Sequence, residues 1–379
     1  MEMTQIAEIV NETTAQVTGT EPVADLDLNK IVDAGAEVLE TDKLDHYVKN
    51  LIDRIGKVVF VNRPYSGSTP SVMMDSWEYG AILEKIQYEG LPAAEDNDSW
   101  ELEDGRSYDP NIFYKPTVSA KFYSERRTFD IPMSFAQRQV KSAFTSAGQV
   151  QALFSMIETA ISNGMTVKMD SLIEATINNF MVTTYGNGAA NARVVKLLTD
   201  YAAFTGETAP SADNALATPE FVRFMAFAMK RKAAQMSKLS TVFNAGGKYR
   251  HTPSDRLHII LHADAAAAAD TYLQSDTYHN EFVALPNAET VPFWQGSGSS
   301  FAWDDTSKII VTPRGGDSPV TVENTVGIMF DRDALGVSNI DRRVTTNWNP
   351  KGEFTNNWYK FDAGYFNDFN ENGVIFVLA

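Results

Sequence analysis

The chain has 379 residues, enough for two or three domains, and its hydrophobic content of 44% and charged content of 21% are those of an ordinary globular protein. It contains no cysteine, so disulfides, thiolate metal sites and a cysteine nucleophile are excluded. The formal net charge is −17, which argues against a protein that grips the phosphate backbone of nucleic acids.

The negative charge is unevenly distributed along the chain. Residues 1–50 carry a net charge of −8 and residues 89–109 carry −7, whereas residues 229–238 form a cationic stretch. Such runs are typical of a solvated surface, and the alternative is charge complementarity between copies of the chain.

No segment has the features of a membrane span or a signal peptide. The longest apolar runs are well short of the roughly 18 residues needed to cross a bilayer, and the first residues, MEMTQIAEIVNETT, lack a long apolar core. We therefore expect a soluble, intracellular protein without a membrane partner.

The first third of the chain predicts little regular structure. Residues 1–40 mix Thr, Ala and acidic residues, which predicts an arm with short helices at most. Apolar residues at helical spacing over 44–55 predict a helix that Gly56 ends, and residues 58–61 predict a strand. The stretch 66–120 is rich in turn residues, and a loop of this length indicates contact with something outside its own domain.

A β-type segment over 118–134 leads into a long helical region. Apolar residues from Val150 to Ile161 lie on one helical face, and those from Met169 to Met181 on another. Asn163-Gly164 either kinks one helix or separates two.

The second half of the chain predicts alternating helices and strands. Thr218 as N-cap and Pro219 at the first helical position predict a helix, and residues 256–274 predict a buried strand that passes into a helix. The remainder is strand-rich and ends with DFNENGVIFVLA, in which Asn372-Gly373 predicts a turn before a strand buried on both faces. The fold class is α+β.

The last segment also resembles half of a calcium loop. Asp368, Asn370, Asn372 and Gly373 fit its first six positions, but the twelfth, which needs a bidentate Glu, is Ala379. The pattern therefore favours a turn and no metal site.

No catalytic pattern emerges elsewhere. His258 and His262 are four residues apart, but the intervening IIL predicts a strand, so the favoured interpretation is the polar ends of a buried strand. The glycines at 296–300 and 314–318 lack the Lys-Ser/Thr of a phosphate loop and predict surface turns. No G-x-S-x-G motif is present.

Paired acidic residues and tryptophans leave a carbohydrate-active enzyme of a phage tail or bacterium open as an alternative. The acidic pairs are Asp304-Asp305, Asp331/Asp333 and Glu101/Glu103, and the tryptophans are Trp294, Trp303, Trp348 and Trp358. A glycosidase needs two carboxylates at a set separation in a cleft, and buried packing is the default for the tryptophans.

The order of these elements resembles that of the major capsid proteins of tailed bacteriophages, with the Hong Kong 97-type fold, and is closest to those of short-tailed phages. The resemblance covers residues 44–379. It is carried by LIDRIGKVV, SFAQRQVKSAFTSAGQVQALFSMIETAISN, DRLHIILHADAAAAADTYLQSDTYHNEFVAL and NWNPKGEFTNNWYKFDAGYFNDFNENGVIFVLA.

The resemblance implies a division of the chain into capsid regions. These are an N-terminal arm (1–50), an extended loop (60–130), a peripheral domain with a spine helix (131–189, the helix at 148–184), an axial domain (190–330) and C-terminal strands of the peripheral domain (331–379).

It also implies a function. The chain is expected to self-assemble into pentamers and hexamers that form an icosahedral or prolate head around double-stranded DNA, without sequence-specific DNA binding, enzymatic activity, cofactor or metal. Assembly in the host cytoplasm, a portal protein and a separate scaffolding protein are expected, the last because the amino-terminal region is too short for a fused scaffold. An encapsulin-type shell is the remaining alternative.

Contacts between copies are the expected functional sites. We expect acidic residues of the extended loop to contact a basic cluster on another copy of the chain, and we expect four glycines to act as hinges. The acids are Glu95, Asp96, Glu101, Glu103 and Asp104, the bases are Lys230, Arg231 and Lys232, and the hinges are Gly80, Gly90, Gly105 and Gly164.

Overall fold

The computed structural model describes residues 3–19, 47, 50, 51, 54, 72–74, 83–88, 98–108, 110–115, 117–186, 192–274, 288–294, 296–297, 302–303, 309–312 and 318–379. The strand predicted at 58–61 lies outside these residues.

Helices and strands are mixed along the described chain, which confirms the α+β class. The helices are α1 (Met3–Thr18), α2 (Gln137–Ala143), α3 (Ala147–Tyr185), α4 (Leu197–Thr205), α5 (Ala212–Ala215), α6 (Pro219–Met236) and α7 (Ala263–Gln274), and a 3-10 turn spans Asp98–Trp100. The strands are β1 (Met73–Met74), β2 (Leu83–Tyr88), β3 (Val118–Tyr123), β4 (Arg126–Ala136), β5 (Val194–Lys196), β6 (Leu257–His262), β7 (Ala288–Val291), β8 (Gly296–Ser297), β9 (Ala302–Trp303), β10 (Ile309–Val311), β11 (Val320–Val322), β12 (Thr325–Asp331), β13 (Leu335–Asn349), β14 (Phe354–Asn367) and β15 (Gly373–Val377).

The amino-terminal region differs from its prediction. α1 is a helix of 16 residues, and Ile6, Ile9 and Val10 on one face are buried in the same core as α3. Their spacing of three and four residues supplies a continuous apolar stripe, so the prediction of short helices at most was wrong here. In the next segment, residues 47, 50, 51 and 54 are helical as predicted.

The long helical region is one helix. α3 runs for 39 residues through Asn163-Gly164, so of the two alternatives a single helix is found. Ser146 caps its start by accepting a hydrogen bond from the Gln149 amide. A Cβ added at Gly164 would lie 3.0 Å from Cδ1 of Ile131, so the missing side chain lets α3 lie close against β4.

A four-stranded sheet in the order β1-β13-β14-β4 packs on α3. Its largest part is the antiparallel hairpin of β13 and β14, which pairs residues from Leu335 with Asn367 to Asn349 with Phe354. A bulge between Asn339 and Asp341 interrupts the ladder.

A five-stranded sheet in the order β5-β15-β12-β6-β7 separates two hydrophobic cores. On β15, Ile375 and Val377 face the core that contains α3, whereas Val374 and Phe376 face the core that contains α6. All five residues of β15 are buried, which confirms the predicted last strand. The predicted buried strand and helix at 256–274 are likewise found as β6 and α7.

The stretch 184–217, for which the sequence predicts no helix or strand, contains β5, α4 and the short α5. After it, α6 begins at Pro219 as predicted. Thr218 occupies the N-cap position, but its hydroxyl donates to the Asn214 carbonyl at 3.0 Å and does not cap the helix. The predicted N-cap residue is therefore confirmed by its position, without a capping hydrogen bond from its side chain.

Candidate assembly surface

The segment predicted as the extended loop (60–130) contains a two-stranded hairpin. β2 and β3 pair antiparallel from Leu83 with Tyr123 to Tyr88 with Val118. We call β2, β3 and the described residues between them the hairpin, and residues 98–115 its tip. Lys85 and Lys121 are directly paired in this ladder. Because side chains alternate between the two faces and paired residues point to the same face, both lysines lie on one face of the hairpin.

Both lysines are held by carboxylates of the turn before β15. Lys85 Nζ lies 3.0 Å from Oδ2 of Asp368 and 2.7 Å from Oε1 of Glu371. Lys121 Nζ lies 2.9 Å from Oδ1 of Asp368, and Nε of Arg250 lies 3.2 Å from Oε2 of Glu371. We call these five residues the anchor, because they join the base of the hairpin to the body of the subunit.

The anchor determines the charge state of Asp368. Burial would raise the pKa of this carboxyl, but the nearby ammonium groups of Lys85 and Lys121 and the hydrogen bonds they donate outweigh it and lower the pKa to about 2. Burial, and then the negative charge of Asp368, raise the pKa of the Tyr123 hydroxyl. Asp368 is therefore ionised throughout the neutral range, as two lysine partners require.

These contacts also decide how the calcium-like pattern is used. The Asp368 carboxylate forms ion pairs with two lysines and accepts a hydrogen bond from the backbone N–H of Asn370 at 3.1 Å. The buried side-chain amide of Asn372 donates to the Thr252 hydroxyl at 3.2 Å. A turn does precede the last strand, but it spans Asp368 to Glu371, where the Glu371 N–H donates to the Asp368 carbonyl at 3.2 Å. Gly373 is the first residue of β15 and has no positive φ, so the predicted position of the turn at Asn372-Gly373 was wrong.

The tip presents apolar and acidic side chains to solvent. Trp100 is 95% exposed, and Leu102, Phe113 and Tyr114 are exposed as well. Glu101, Glu103 and Asp104 are exposed between them, and Glu95 and Asp96 lie outside the described residues.

A compact turn from Glu103 to Arg106 contains two of the acidic residues of the tip. The Arg106 amide donates to the Glu103 carbonyl at 3.4 Å, and the Arg106 guanidinium lies 5.4 Å from the ring centre of Tyr108. Gly105 has a φ of 84°, a backbone conformation that favours glycine. The side chains of Trp100 and Leu102 are left outside this turn.

The basic cluster predicted as the partner lies on α6, where its three residues have different surroundings. Arg231 lies 4.0 Å from Asp200 and 5.5 Å from the ring centre of Phe227. Lys232 lies 5.7 Å from the ring centre of Phe243, and burial, followed by the charge of Arg231, lowers its pKa. Lys230 is half-buried.

The hinge residues have separate positions. Gly105 lies in the tip and Gly164 in the middle of α3, whereas Gly80 and Gly90 lie outside the described residues. Their role as hinges stays a prediction.

His258 and His262, the pair with a spacing of four residues, are far apart in the structure. His258 and His262 lie on β6, where a rise of about 3.3 Å per residue separates them by about 13 Å. His258 stacks on Phe330 and lies 3.3 Å from Glu289, and burial lowers its pKa. Both are polar members of a buried strand, as favoured. No cluster of three or more histidine or acidic residues suited to a metal was found within the part of the chain that the structure describes.

Of the acidic pairs, Asp331/Asp333 has structural partners, as does Trp294 among the tryptophans, whereas Glu101/Glu103 is exposed in the tip and Asp304-Asp305 lies outside the described residues. Asp331 accepts a hydrogen bond from Thr252 at 2.9 Å, and Arg256 forms ion pairs with Asp331 and Asp333. Trp294 is buried, and its Nε1 donates to the Thr325 carbonyl at 3.0 Å.

A cleft of about 650 Å³ lies between α3 and the junction of β3 with β4. Among the described residues of its lining, Glu125 is the one acidic residue, and Arg126 and Arg127 lie beside it. Because a glycosidase needs two facing carboxylates, this cleft does not fit that chemistry.

The anchor is the part of this surface that sequence reasoning missed. Lys85 and Glu371 are 286 positions apart, and neither belongs to a short motif.

Among the helices that the structure describes, none is long and apolar enough to cross a bilayer.

Comparisons with known proteins agree with the resemblance drawn from the sequence. The family model of the Phi29-like phage major capsid protein matches residues 6–377. Among solved structures, the chain is similar to one in the capsid of Staphylococcus phage Andhra, with 10% identity, a TM-score of 0.53 and coverage of 84% of this chain and 86% of that chain. It is also similar to one in the structure of the head fiber and inner core protein gp22 of native bacteriophage P68, with 9% identity, a TM-score of 0.54 and the same coverage of 84% and 86%. No curated protein matches the chain.

At such identities the structural likeness concerns the fold alone, and it confirms the predicted Hong Kong 97-type capsid fold. The alternatives of a carbohydrate-active enzyme and an encapsulin-type shell receive no support from these comparisons. Because the family model spans nearly the whole chain, the protein belongs to the Phi29-like phage major capsid protein family and forms the capsid of the virion.

Proposed function

We propose that this capsid protein assembles through its hairpin, which extends from one subunit onto another within pentamers and hexamers. The observation that carries the proposal is the contrast along the hairpin. Its base is held by the anchor through ion pairs of 2.7 to 3.0 Å, whereas Trp100 at its tip is 95% exposed. A rigidly based element that presents a bare tryptophan has the features of a docking arm, since interfaces are enriched in aromatic anchors.

The assembly is expected to be a closed head. Heterologous contacts between identical subunits close into rings, and many weak contacts shared around a shell make the whole stable. The enclosed cargo is double-stranded DNA, which the net charge of −17 keeps from adhering to the wall. The protein acts without catalytic turnover.

The division into regions follows from the same proposal. Residues 1–50 are the arm, 60–130 the extended loop, 131–189 the peripheral domain with its spine helix, 190–330 the axial domain and 331–379 the C-terminal strands. The position of α3 within 131–189 and the position of the hairpin within 60–130 support this division.

Separate scaffolding and portal proteins complete the proposal, and assembly takes place in the host cytoplasm. In this proposal the scaffolding protein sets the curvature of the shell and the portal protein occupies one of its vertices.

The experiment that tests the proposal is expression of the full chain, alone and together with the products of the genes that neighbour it. Size exclusion with light scattering, followed by electron microscopy, measures the assembly state. We expect shells, or rings of five and six subunits, in at least one of the two conditions, and turnover of polysaccharides in neither. A monomer in both conditions contradicts the proposal.

A matched pair of variants tests the role of the hairpin. Trp100→Ala is expected to reduce particle yield at least tenfold without changing the folded subunit, because the side chain contacts little of its own chain. Ile310→Ala changes an exposed apolar residue of β10, outside the hairpin, and is the control. Equal yields from the two variants contradict a role for the tip.

A further inference from the structure

Two aromatic rings are exposed side by side on the surface formed by α4 and α6. The ring centres of Phe204 and Phe227 lie 5.1 Å apart, and the two residues are 60% and 43% exposed. Beneath them the buried Phe224 lies 5.6 Å from Phe204 and 6.2 Å from Phe227. The exposed pair is therefore the outer layer of a packed cluster, so its geometry is preformed.

Cations flank this pair along α6. Arg223, Phe227 and Arg231 are spaced by four residues and so lie along one face of the helix. Lys230 follows Phe227 by three residues and is its neighbour on the helix surface. The Arg231 guanidinium lies 5.5 Å from the ring centre of Phe227. We call Phe204, Phe227, Arg223, Lys230 and Arg231 the aromatic patch.

Lys232 does not belong to the aromatic patch. Its Nζ lies 5.7 Å from the ring centre of Phe243, in the segment after α6. Of the three cations in the predicted basic cluster, Arg231 contacts the exposed ring of Phe227, and Lys230 lies beside that residue by its helical spacing.

The tip carries the complementary side chains. Trp100 and Leu102 are exposed, and Glu101, Glu103 and Asp104 alternate with them or follow them directly. One surface thus combines exposed aromatic rings with cations, and the other combines an exposed indole with carboxylates. Such a match favours association in one orientation, with the aromatic side chains at the centre and the charges at the rim.

The tip does not fill the aromatic patch of its own chain, because Trp100 is 95% exposed while Phe204 and Phe227 are exposed too. The occupant is therefore a second copy. We propose that Trp100 of one subunit stacks on the Phe204–Phe227 pair of another, with Glu101, Glu103 and Asp104 facing Lys230 and Arg231. The inference rests on the proposed assembly function and names the surface that receives the hairpin.

The absence of cysteine from the chain makes a direct test available. A chain that carries both Trp100→Cys and Phe227→Cys is assembled under reducing conditions, then oxidised and run on a non-reducing gel. If the two positions meet in a ring, oxidation produces a ladder of covalent oligomers that ends at five or six chains. Each single variant gives no ladder, because each supplies one half of the disulfide.

A matched control replaces the patch position by one of equal exposure. Leu239 is 48% exposed and follows α6, so Trp100→Cys combined with Leu239→Cys tests whether proximity alone produces the ladder. A mixture of the two single variants, Trp100→Cys and Phe227→Cys, is expected to give a covalent dimer between chains, which excludes a disulfide within one chain.

The outcomes separate this inference from the proposed function. Particles without a ladder in the Trp100→Cys/Phe227→Cys chain overturn the docking site and leave the capsid function intact. A ladder of equal strength in the Leu239→Cys control also overturns it. The Phe227→Cys chain can also be tested with a co-expressed second protein that carries an introduced cysteine. If a disulfide forms with that protein and no ladder forms between subunits, the aromatic patch binds that protein and the inference is overturned. Failure of the unmodified chain to form particles in any condition counts against the proposed function itself.

Discussion

Nζ of Lys85 lies 2.7 Å from Oε1 of Glu371, so the first strand of the hairpin is joined to the turn that precedes the last strand of the chain. The same nitrogen lies 3.0 Å from Oδ2 of Asp368, whose side chain is fully buried. The hairpin therefore leaves the subunit at a fixed point, and the anchor can be tested residue by residue.

Lys85→Met is expected to destabilise the subunit by about 3 kcal/mol, because it leaves the buried carboxylate of Asp368 with one of its two lysines. Urea unfolding of the isolated chain measures the loss. Lys115→Met, which changes an exposed lysine in the tip, is the control and should stay within about 0.5 kcal/mol of the parent. An equal effect of both variants would show that the anchor contributes nothing specific.

The anchor should give the subunit an acid-sensitive stability. The pKa of Asp368 is about 2 in the folded state and near 3.8 when unperturbed. Because the folded pKa is the lower one, its contribution of about 2 kcal/mol is complete above about pH 4 and lost as the pH falls towards 2. Asp368→Asn should remove this part of the pH dependence in urea titrations between those values. A difference between variant and parent that stays constant with pH contradicts the prediction.

Glu174 should have the opposite pH dependence. Burial, and then the charge of Asp170 one helical turn away, raise the pKa of Glu174 to about 8, and burial raises that of Asp170 to about 6. Because the folded pKa values are the higher ones, ionisation of these groups costs stability as the pH rises from about 4 to about 8.

Glu174→Gln should therefore stabilise the chain above pH 8 by about 1–2 kcal/mol, since partial solvation screens the charge. The gain should vanish near pH 4, where both forms are neutral. Thermal unfolding at the two pH values measures it, and Glu101→Gln in the exposed tip is the control. A gain that does not change with pH would assign the effect to packing.

Gly327 should tolerate no side chain. A Cβ at this position would lie 2.7 Å from the Ile260 carbonyl oxygen on the neighbouring strand β6, which cannot move without breaking the sheet. Gly327→Ala is expected to cost about 3 kcal/mol or more. Gly148→Ala, in the first turn of α3 with nothing within 4 Å, should instead stabilise the chain by about 0.5 kcal/mol. Chemical denaturation of both variants checks the contrast, and similar midpoints would contradict it.

Charge pairing between copies predicts a salt dependence of assembly. Lys230→Glu combined with Arg231→Glu should lower particle yield, and added reversal of Glu101 and Glu103 to Lys should restore part of it. Raising NaCl from about 0.05 M to about 0.5 M should weaken assembly of the parent, because exposed pairs contribute about 0–1 kcal/mol each and are screened. Light scattering during assembly measures the yield. If neither salt nor charge reversal changes the particle yield, charge pairing between copies does not contribute to assembly.

The local pattern of apolar residues predicted those helices and strands whose apolar side chains are buried along the whole element. The apolar run from Val374 to Leu378 predicted a strand buried on both faces, and β15 is placed between two cores. The helical spacing of apolar residues predicted α3, because a helix at the centre of a domain needs a continuous apolar face. α1 carries the same kind of stripe in Ile6, Ile9 and Val10, but its acidic and Thr-rich composition concealed it.

Partners distant in the chain could not be predicted in the same way. Asp368 drew attention as part of a calcium-like pattern, and its real partners, Lys85 and Lys121, are 283 and 247 positions away. Ion pairs of this kind depend on how the hairpin lies against the body, and one sequence does not encode that relation in any spacing. Phe243, which lies beyond the end of α6, becomes the neighbour of Lys232 through packing in the same way.

The five-stranded sheet has a mechanical consequence for the shell. β12 pairs with β15 on one side and with β6 on the other, and residues of these strands close both cores at once. A load that acts along these strands would have to shear all the ladder bonds of β12 together, which requires far more force than opening them one at a time. We therefore expect such a load to deform the contacts between subunits before it deforms this sheet.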